Sequence, residues 1–126
     1  MRRTAKLQIK LATTGARTGE SRLVTLYAWP DGDPALVGPD GGDRLILVGS
    51  SGGAVRHPAW VHNLRSDPVA TVKRGVETGE MTAREVTDAA ERDRLWELVV
   101  ERFPQYATYQ RRTARLIPIF ILTRNV

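Results

Sequence analysis

Residues 45–64 read LILVGSSGGAVRHPAWVHNL, and the architecture expected for the chain is built outward from this stretch. Its first four residues are apolar without alternation, which predicts a strand buried on both faces. Two serines and the pair Gly52-Gly53 follow, and glycine lacks the Cβ that would keep an anion away from backbone N–H groups. Pro58 has the fixed φ of a first helical turn, so a short helix is predicted to begin there. The segment is therefore predicted to bind an anion beside a helix start.

A second turn carries positive charge. Residues 13–22 read TTGARTGESR and lie between two segments in which apolar and polar residues alternate. Arg17 and Arg22 lie on either side of Gly19 in this basic turn, and each guanidinium group can bind a phosphate or a carboxylate through two hydrogen bonds. Two anion-binding loops in one small protein predict a ligand with more than one negative group.

Length and composition limit the remaining possibilities. The 126 residues are predicted to form a single domain, residues 1–126, and Lys and Arg number 19 against 14 Asp and Glu. The charges are dispersed, so no nucleic-acid partner is expected. The absence of cysteine excludes disulfides and thiolate metal sites, and His57 and His62 lie off the i,i+4 helical spacing, so no metal is expected. Without a long apolar run or a secretory segment, we expect a cytoplasmic protein without stable membrane insertion.

The apolar pattern predicts a mainly β, α+β fold, with five or six largely antiparallel strands closed into a small barrel and two flanking helices. A helix is also predicted from Asp88, with Glu91 three residues on, to Pro104. A short edge segment is predicted at Ala35–Gly38. The predicted strands are Leu7–Leu11, Leu23–Trp29, Leu45–Gly49, Val69–Lys73, Glu77–Val86 and Ile117–Leu122.

Several motifs together resemble the deazaflavin-dependent nitroreductase family. They are, in chain order, Thr-Thr-Gly-x-Arg-x-Gly, Arg22, Ser-x-Gly-Gly, His-Pro-Ala-Trp-x-His-Asn-Leu, and Tyr-Ala-x-Tyr-Gln-Arg-Arg-Thr near Ile-Pro. The resemblance extends from about Leu11 to Leu122. It implies a split β-barrel, like that of FMN-binding proteins, that uses the reduced deazaflavin coenzyme F-420.

The resemblance also implies roles for individual residues. The phosphate and acidic tail of the coenzyme would contact Arg17, Thr18, Arg22, Ser50, Ser51, Gly52 and Gly53. Pro58, Trp60 and Asn63 would line the deazaflavin and ribityl region, and Tyr106 and Tyr109 would face the substrate. Thr18 and Ser51 stand where the family commonly has lysine, and Phe103 stands where a tyrosine is often found. Residues 34–42 form a longer segment than usual.

The implied activity is hydride transfer from reduced coenzyme F-420 to a small electron-poor acceptor such as a quinone, an enone or a nitro compound. Tyr106, Tyr109 or a solvent molecule held by Ser50 would supply the proton. Two alternatives remain: a non-catalytic carrier of the deazaflavin, and a split barrel that binds FMN or haem. The partners expected are a small-molecule substrate and, at most, a second copy in a homodimer. The Gly-x-Ser-x-Gly match at Gly49–Gly53 does not predict a hydrolase, because the chain is too short for the sheet that such enzymes need.

Overall fold

The computed structural model describes residues 7–31 and 44–125. Six strands close into one barrel in the order β1-β2-β3-β6-β5-β4, and every neighbouring pair is antiparallel. The barrel closes where Leu11 of the first strand lies opposite Val72 of the fourth. The strands are β1 Leu7–Thr14, β2 Ser21–Pro30, β3 Arg44–Val48, β4 Val69–Arg74, β5 Glu77–Glu85 and β6 Ile119–Arg124.

Three α-helices lie outside the strands: α1 Ala59–Ser66, α2 Ala89–Arg102 and α3 Gln105–Arg112. A one-turn 3₁₀ helix, Ser51–Gly53, follows β3. Asp88 begins α2 as predicted, because its side chain accepts a hydrogen bond from the backbone N–H of Glu91 at 3.0 Å. None of the helices in the described ranges is long and apolar enough to cross a membrane.

The unbroken apolar runs at β3 and β6 have the structure that their sequences predict. Along β3, Leu45 and Leu47 pack inside the barrel, while Ile46 and Val48 belong to a second core that α2 and α3 cover. The residues of β6 alternate in the same way between the two cores. A strand buried on both faces lacks the polar alternation of a half-exposed strand, which explains its continuous apolar sequence.

The structure corrects three details of the predicted elements. Pro58 is not in the first helical turn: its ψ of 154° is extended, and α1 begins one residue later at Ala59. The segment after Pro104 is helical: the backbone leaves the helical region at Phe103, Pro104 already has helical φ and ψ of −58° and −21°, and α3 follows. The described residues therefore contain three α-helices where two are predicted. The last strand runs to Arg124 instead of ending at Leu122. The predicted edge segment Ala35–Gly38 and the long segment 34–42 lie outside the described residues.

Candidate active site

A cavity of about 1000 Å³ lies between the β1–β2 turn and the segment that leads into α1. Six of the predicted coenzyme contacts line it: Arg17, Thr18, Arg22, Pro58, Trp60 and Asn63. The other predicted site residues are not in its lining: Ser50, Ser51, Gly52, Gly53, Tyr106 and Tyr109. The structure therefore brings the basic turn (residues 13–22) and the start of α1 together around one volume. The glycine turn (residues 50–53) adjoins it through Arg115, whereas Tyr106 belongs to the second core.

The basic turn is held in shape by its own backbone and by α1. The N–H of Gly15 donates to the Glu20 carbonyl at 2.7 Å, and Gly19 takes a φ of 74°, which favours glycine. The buried Asn63 side chain joins the turn to α1, because its Oδ1 accepts from the Ala16 N–H at 2.9 Å and its Nδ2 donates to the Thr13 hydroxyl at 3.0 Å. Asn63 thus positions the turn that carries Arg17.

Replacing Asn63 with leucine is expected to lower the free energy of unfolding by about 2 kcal/mol, since it leaves the partly buried Ala16 N–H and the buried Thr13 hydroxyl without their partner. Urea unfolding measures the loss. Hydrogen exchange at the Ala16 amide should also accelerate. Asn63→Asp keeps the acceptor for the Ala16 N–H and loses the donor to the Thr13 hydroxyl, so exchange at the Ala16 amide should stay slow in this comparison variant. Equal stability of all three proteins would mean that the two hydrogen bonds contribute nothing to the turn.

The charge of the cavity wall is entirely positive. Four arginines line it, namely Arg17, Arg22, Arg56 and Arg115, and no carboxylate does so among the described residues. Arg22 lies 3.3 Å from a Glu20 oxygen, but both side chains are more than half exposed, so the pair is weak and Arg22 can exchange it for another anion. A wall of this kind fits a ligand with several anionic groups.

Trp60 is part of the cavity wall and is almost fully buried. Only 7% of it is exposed, and its ring meets that of Phe120 edge to face with the centroids 5.8 Å apart. The barrel core therefore fixes the orientation of the indole. Its accessible part adds a rigid aromatic surface to the apolar part of the lining, which includes Leu23, Val24 and Pro58, and a flat aromatic ligand can pack against it.

Two backbone N–H groups at the glycine turn, which the sequence predicts to be open to an anion, instead donate hydrogen bonds within the turn. The N–H of Gly53 donates to the Ser50 carbonyl at 2.8 Å and that of Ala54 to the Ser51 carbonyl at 3.1 Å. Gly52 and Gly53 both have positive φ, 64° and 82°. A Cβ on Gly53 would lie 2.7 Å from the Tyr109 carbonyl oxygen of α3, whereas one on Gly52 would meet nothing within 4 Å. Gly53 is thus required for packing, and Gly52 has open space beside it.

The two candidate tyrosines lie on α3 in an aromatic cluster. Trp29 donates its indole N–H to the Tyr106 hydroxyl at 2.9 Å, and the Phe103 ring lies 4.8 Å from that of Tyr106, centroid to centroid. Burial raises the pKa of Tyr106, so its hydroxyl keeps its proton at neutral pH. The Tyr109 ring, half-buried, lies 6.4 Å from the Tyr106 ring. Tyr106 accepts one hydrogen bond and still has a proton to donate.

Comparison with known proteins identifies the family. A family model described as F420H(2)-dependent quinone reductase matches residues 2–124. The chain belongs to this family. A member from Mycobacterium tuberculosis, named an F420H(2)-dependent quinone reductase, is 37% identical over 117 residues, which is 91% of this chain and 72% of the relative. The expected resemblance to deazaflavin-dependent reductases is confirmed.

Two solved structures with similar sequences agree with the fold. A structure titled F420-H2 dependent reductase (FDR-A) has a TM-score of 0.72 at 36% identity and covers 91% of this chain and 92% of that one. A second, described as a domain-swapped dimer, has a TM-score of 0.73 at 35% identity and covers 97% of this chain and 81% of that one. The expected split β-barrel is confirmed.

The two glycines of the turn should respond differently to substitution. Gly53→Ala is expected to lower the free energy of unfolding by roughly 3 kcal/mol, because it combines a positive φ with a Cβ pressed against α3. Gly52→Ala should cost about 1 kcal/mol, from backbone strain alone. Urea unfolding of the two variants tests this order. Equal costs would contradict the close approach of α3 to Gly53.

Arg56, His57 and Arg115 are among the residues of the cavity wall that were not predicted as site residues. Arg56 is exposed and follows the glycine turn, so it resembles any surface arginine in the sequence. His57 directly precedes Pro58, where the helix is predicted to begin, so the sequence shows it only as a residue next to a helix start. Arg115 lies in the connection between α3 and β6, and only the folded chain brings it to the glycine turn more than 60 residues earlier. No local pattern signals such a contact.

Proposed function

We propose that the protein binds reduced coenzyme F-420 in the arginine-lined cavity and reduces a small electron-poor acceptor, with a quinone as the preferred class. Membership of the F420H(2)-dependent quinone reductase family makes it an F-420-dependent reductase. The observation that carries the placement is the cavity of about 1000 Å³ with four arginines and no carboxylate among the described residues of its wall. A coenzyme with a phosphate and a carboxylate tail matches that charge.

In this proposal the coenzyme contacts divide along the cavity wall. Arg17, Arg22 and Arg56 hold the anionic tail, and the Thr18 hydroxyl adds a neutral partner where a lysine is common. Trp60 and Pro58 offer apolar surface to the deazaflavin ring. Ser50, Ser51, Gly52 and Gly53 stay predicted contacts, with Gly52 the position at which the open space favours close approach of a ligand.

The reaction requires that the acceptor be oriented against the coenzyme ring and that one proton be supplied to the reduced acceptor. Bound reduced coenzyme supplies a hydride, so the protein has to orient the acceptor and keep water from the ring. The α3 helix packs against the glycine turn where Gly53 meets the Tyr109 backbone, which supports a place for Tyr109 near that turn. Tyr106, only 5% exposed, lies three residues earlier on the same helix. We assign Tyr106 as the proton donor to the reduced acceptor, with Tyr109 orienting the acceptor oxygen.

The remaining expectations on partners are also proposals. A related structure described as a domain-swapped dimer, at 35% identity, supports the homodimer over the monomer. The dispersed charge of the chain supports a small-molecule partner over nucleic acid. We place the activity in the cytoplasm.

Titration of the purified protein with coenzyme F-420, and separately with FMN, tests the proposed cofactor. Among the described residues Trp60 is the tryptophan of the cavity wall, whereas Trp29 lies in the second core and Trp96, on α2, packs against that core. Quenching of tryptophan fluorescence should therefore be lost largely in Trp60→Phe and not in Trp96→Phe. Saturable quenching by coenzyme F-420 at concentrations well below those of FMN supports the proposal. Saturation by FMN alone would replace it with the FMN-binding alternative.

A further inference from the structure

Arg115 forms hydrogen bonds to several residues of the segment that precedes α1, residues 49–58. Arg115 donates from Nε to the Ala54 carbonyl at 2.8 Å and from its two terminal nitrogens to the carbonyls of Ser50 at 2.8 Å and Gly49 at 3.0 Å. One of those terminal nitrogens, the one bound to Gly49, also lies 2.8 Å from Nδ1 of His57. A guanidinium group has five N–H donors, and four acceptors from one short segment converge on this one. Arg115 therefore sets the shape of the segment.

The contact with Arg115 determines where His57 carries its proton. A guanidinium group only donates, so Nδ1 must act as the acceptor and cannot carry a hydrogen. In the neutral imidazole the hydrogen then lies on Nε2. The ring is half-buried and belongs to the cavity wall, as Arg115 does. His57 is consequently a hydrogen-bond donor with a fixed tautomer at the edge of the coenzyme cavity.

The surroundings of His57 keep its ring neutral. Burial lowers its pKa most, and the positive charges of Arg115, of Arg65 and of His62 when protonated lower it further. Glu85 on β5 acts in the opposite direction, but its carboxylate is held by two hydrogen bonds of 2.8 Å from Arg65. The neutral imidazole is the form that can accept from Arg115 while donating through Nε2.

We infer that Arg115 is a positioning residue of the coenzyme site, and that it fixes His57 as a neutral imidazole whose Nε2–H donates a hydrogen bond to an oxygen of the bound coenzyme. This inference rests on the proposed function for the identity of the ligand. The arrangement of Arg115 and His57 can be tested without any ligand. The two parts therefore need two experiments.

The first experiment observes the histidine rings of the unliganded protein by nitrogen-15 NMR. Two-bond nitrogen–proton correlations of His57 should show the hydrogen on Nε2 at pH 7. In Arg115→Met the pKa of His57 should rise, because a positive charge that opposes protonation has been removed. Arg111→Met removes an exposed arginine of α3 and should leave the His57 spectrum unchanged. A hydrogen on Nδ1 in the wild type would overturn the inference, even if Arg115→Met did not fold.

The second experiment measures the affinity for coenzyme F-420 in two substitutions of His57. Asparagine keeps an acceptor near the place of Nδ1 and lacks a donor at Nε2, whereas glutamine keeps a donor near the place of Nε2. His57→Asn should bind the coenzyme roughly tenfold more weakly, the effect of one hydrogen bond to an anionic ligand, and His57→Gln should stay closer to the wild type.

The outcomes separate this inference from the proposed function. If the wild type and both His57 variants bind coenzyme F-420 equally well, His57 donates nothing to it, and the inference fails while the proposed function stands. If the wild type does not bind coenzyme F-420, the proposed function fails, and the hydrogen bond to the coenzyme fails with it. In that case the NMR result still decides whether Arg115 fixes the tautomer of His57.

Discussion

The double variant Arg17→Ala, Arg22→Ala is expected to bind coenzyme F-420 at least 10²-fold more weakly than the wild type. A charge-assisted hydrogen bond contributes about 1.5–3 kcal/mol, so each arginine alone should account for roughly 10-fold or more. Both side chains lie on the turn that forms one wall of the cavity, and Arg22 gives up only a weak, exposed ion pair with Glu20 to bind the ligand. Fluorescence titration gives the affinities.

Two control variants make this prediction specific. Arg111→Ala removes an arginine outside the cavity wall and should bind normally. Glu20→Gln removes the carboxylate that competes for Arg22 and should bind as tightly as the wild type or more tightly. Turnover at saturating coenzyme should change little in the double variant, because the tail lies far from the reacting atoms. Unchanged affinity of the double variant for coenzyme F-420 would mean that both arginines are surface charges that do not contact the coenzyme.

Tyr106→Phe is expected to lower turnover by about 10²-fold or more while the affinity for coenzyme F-420 stays the same, if the hydroxyl is the general acid. Burial raises the pKa of Tyr106, so the hydroxyl is protonated but is a weak acid, and the hydrogen bond from Trp29 holds its oxygen in place. Tyr109→Phe should have the milder effect. Steady-state oxidation of the reduced coenzyme with several acceptors measures both.

A loss of packing has to be distinguished from the loss of an acid. Tyr106→Phe leaves the buried indole N–H of Trp29 without its partner and should cost about 1–3 kcal/mol of stability. Trp29→Phe removes the same hydrogen bond but leaves the hydroxyl. If Trp29→Phe is destabilised but turns over normally, the lower turnover of Tyr106→Phe is caused by the loss of the proton donor and not by the loss of stability. If both tyrosine variants turn over like the wild type, the tyrosines serve packing.

The sequence predicts the fold well because its signals are local. Continuous apolar strands, the hairpins and the Asp88 cap each depend on neighbouring residues, and each is present in the structure. The third helix is missed because Pro104 is compatible with either a helix end or the start of a new helix, and the sequence alone does not distinguish them.

The sequence predicts only part of the site, because its signals are local and several site contacts join distant segments. Arg17, Arg22 and Trp60 lie in segments whose composition signals a turn or a helix start, and they line the cavity as a group. Arg115 and His57 act through contacts between residues 58 positions apart, which no periodicity encodes. Gly53 is recognisable as a turn residue, but its approach to α3 depends on a helix that the sequence analysis does not predict.

The most direct test of the central claim follows the absorbance of reduced coenzyme F-420 with catalytic amounts of the protein and menadione as the acceptor. The protein is expected to accelerate oxidation of the coenzyme, and the Arg17→Ala, Arg22→Ala variant to reach a similar rate only at much higher coenzyme concentration. Tight binding of the coenzyme without accelerated oxidation in the presence of any quinone, enone or nitro acceptor would contradict the proposed reductase activity. The protein would then be a non-catalytic carrier of the deazaflavin.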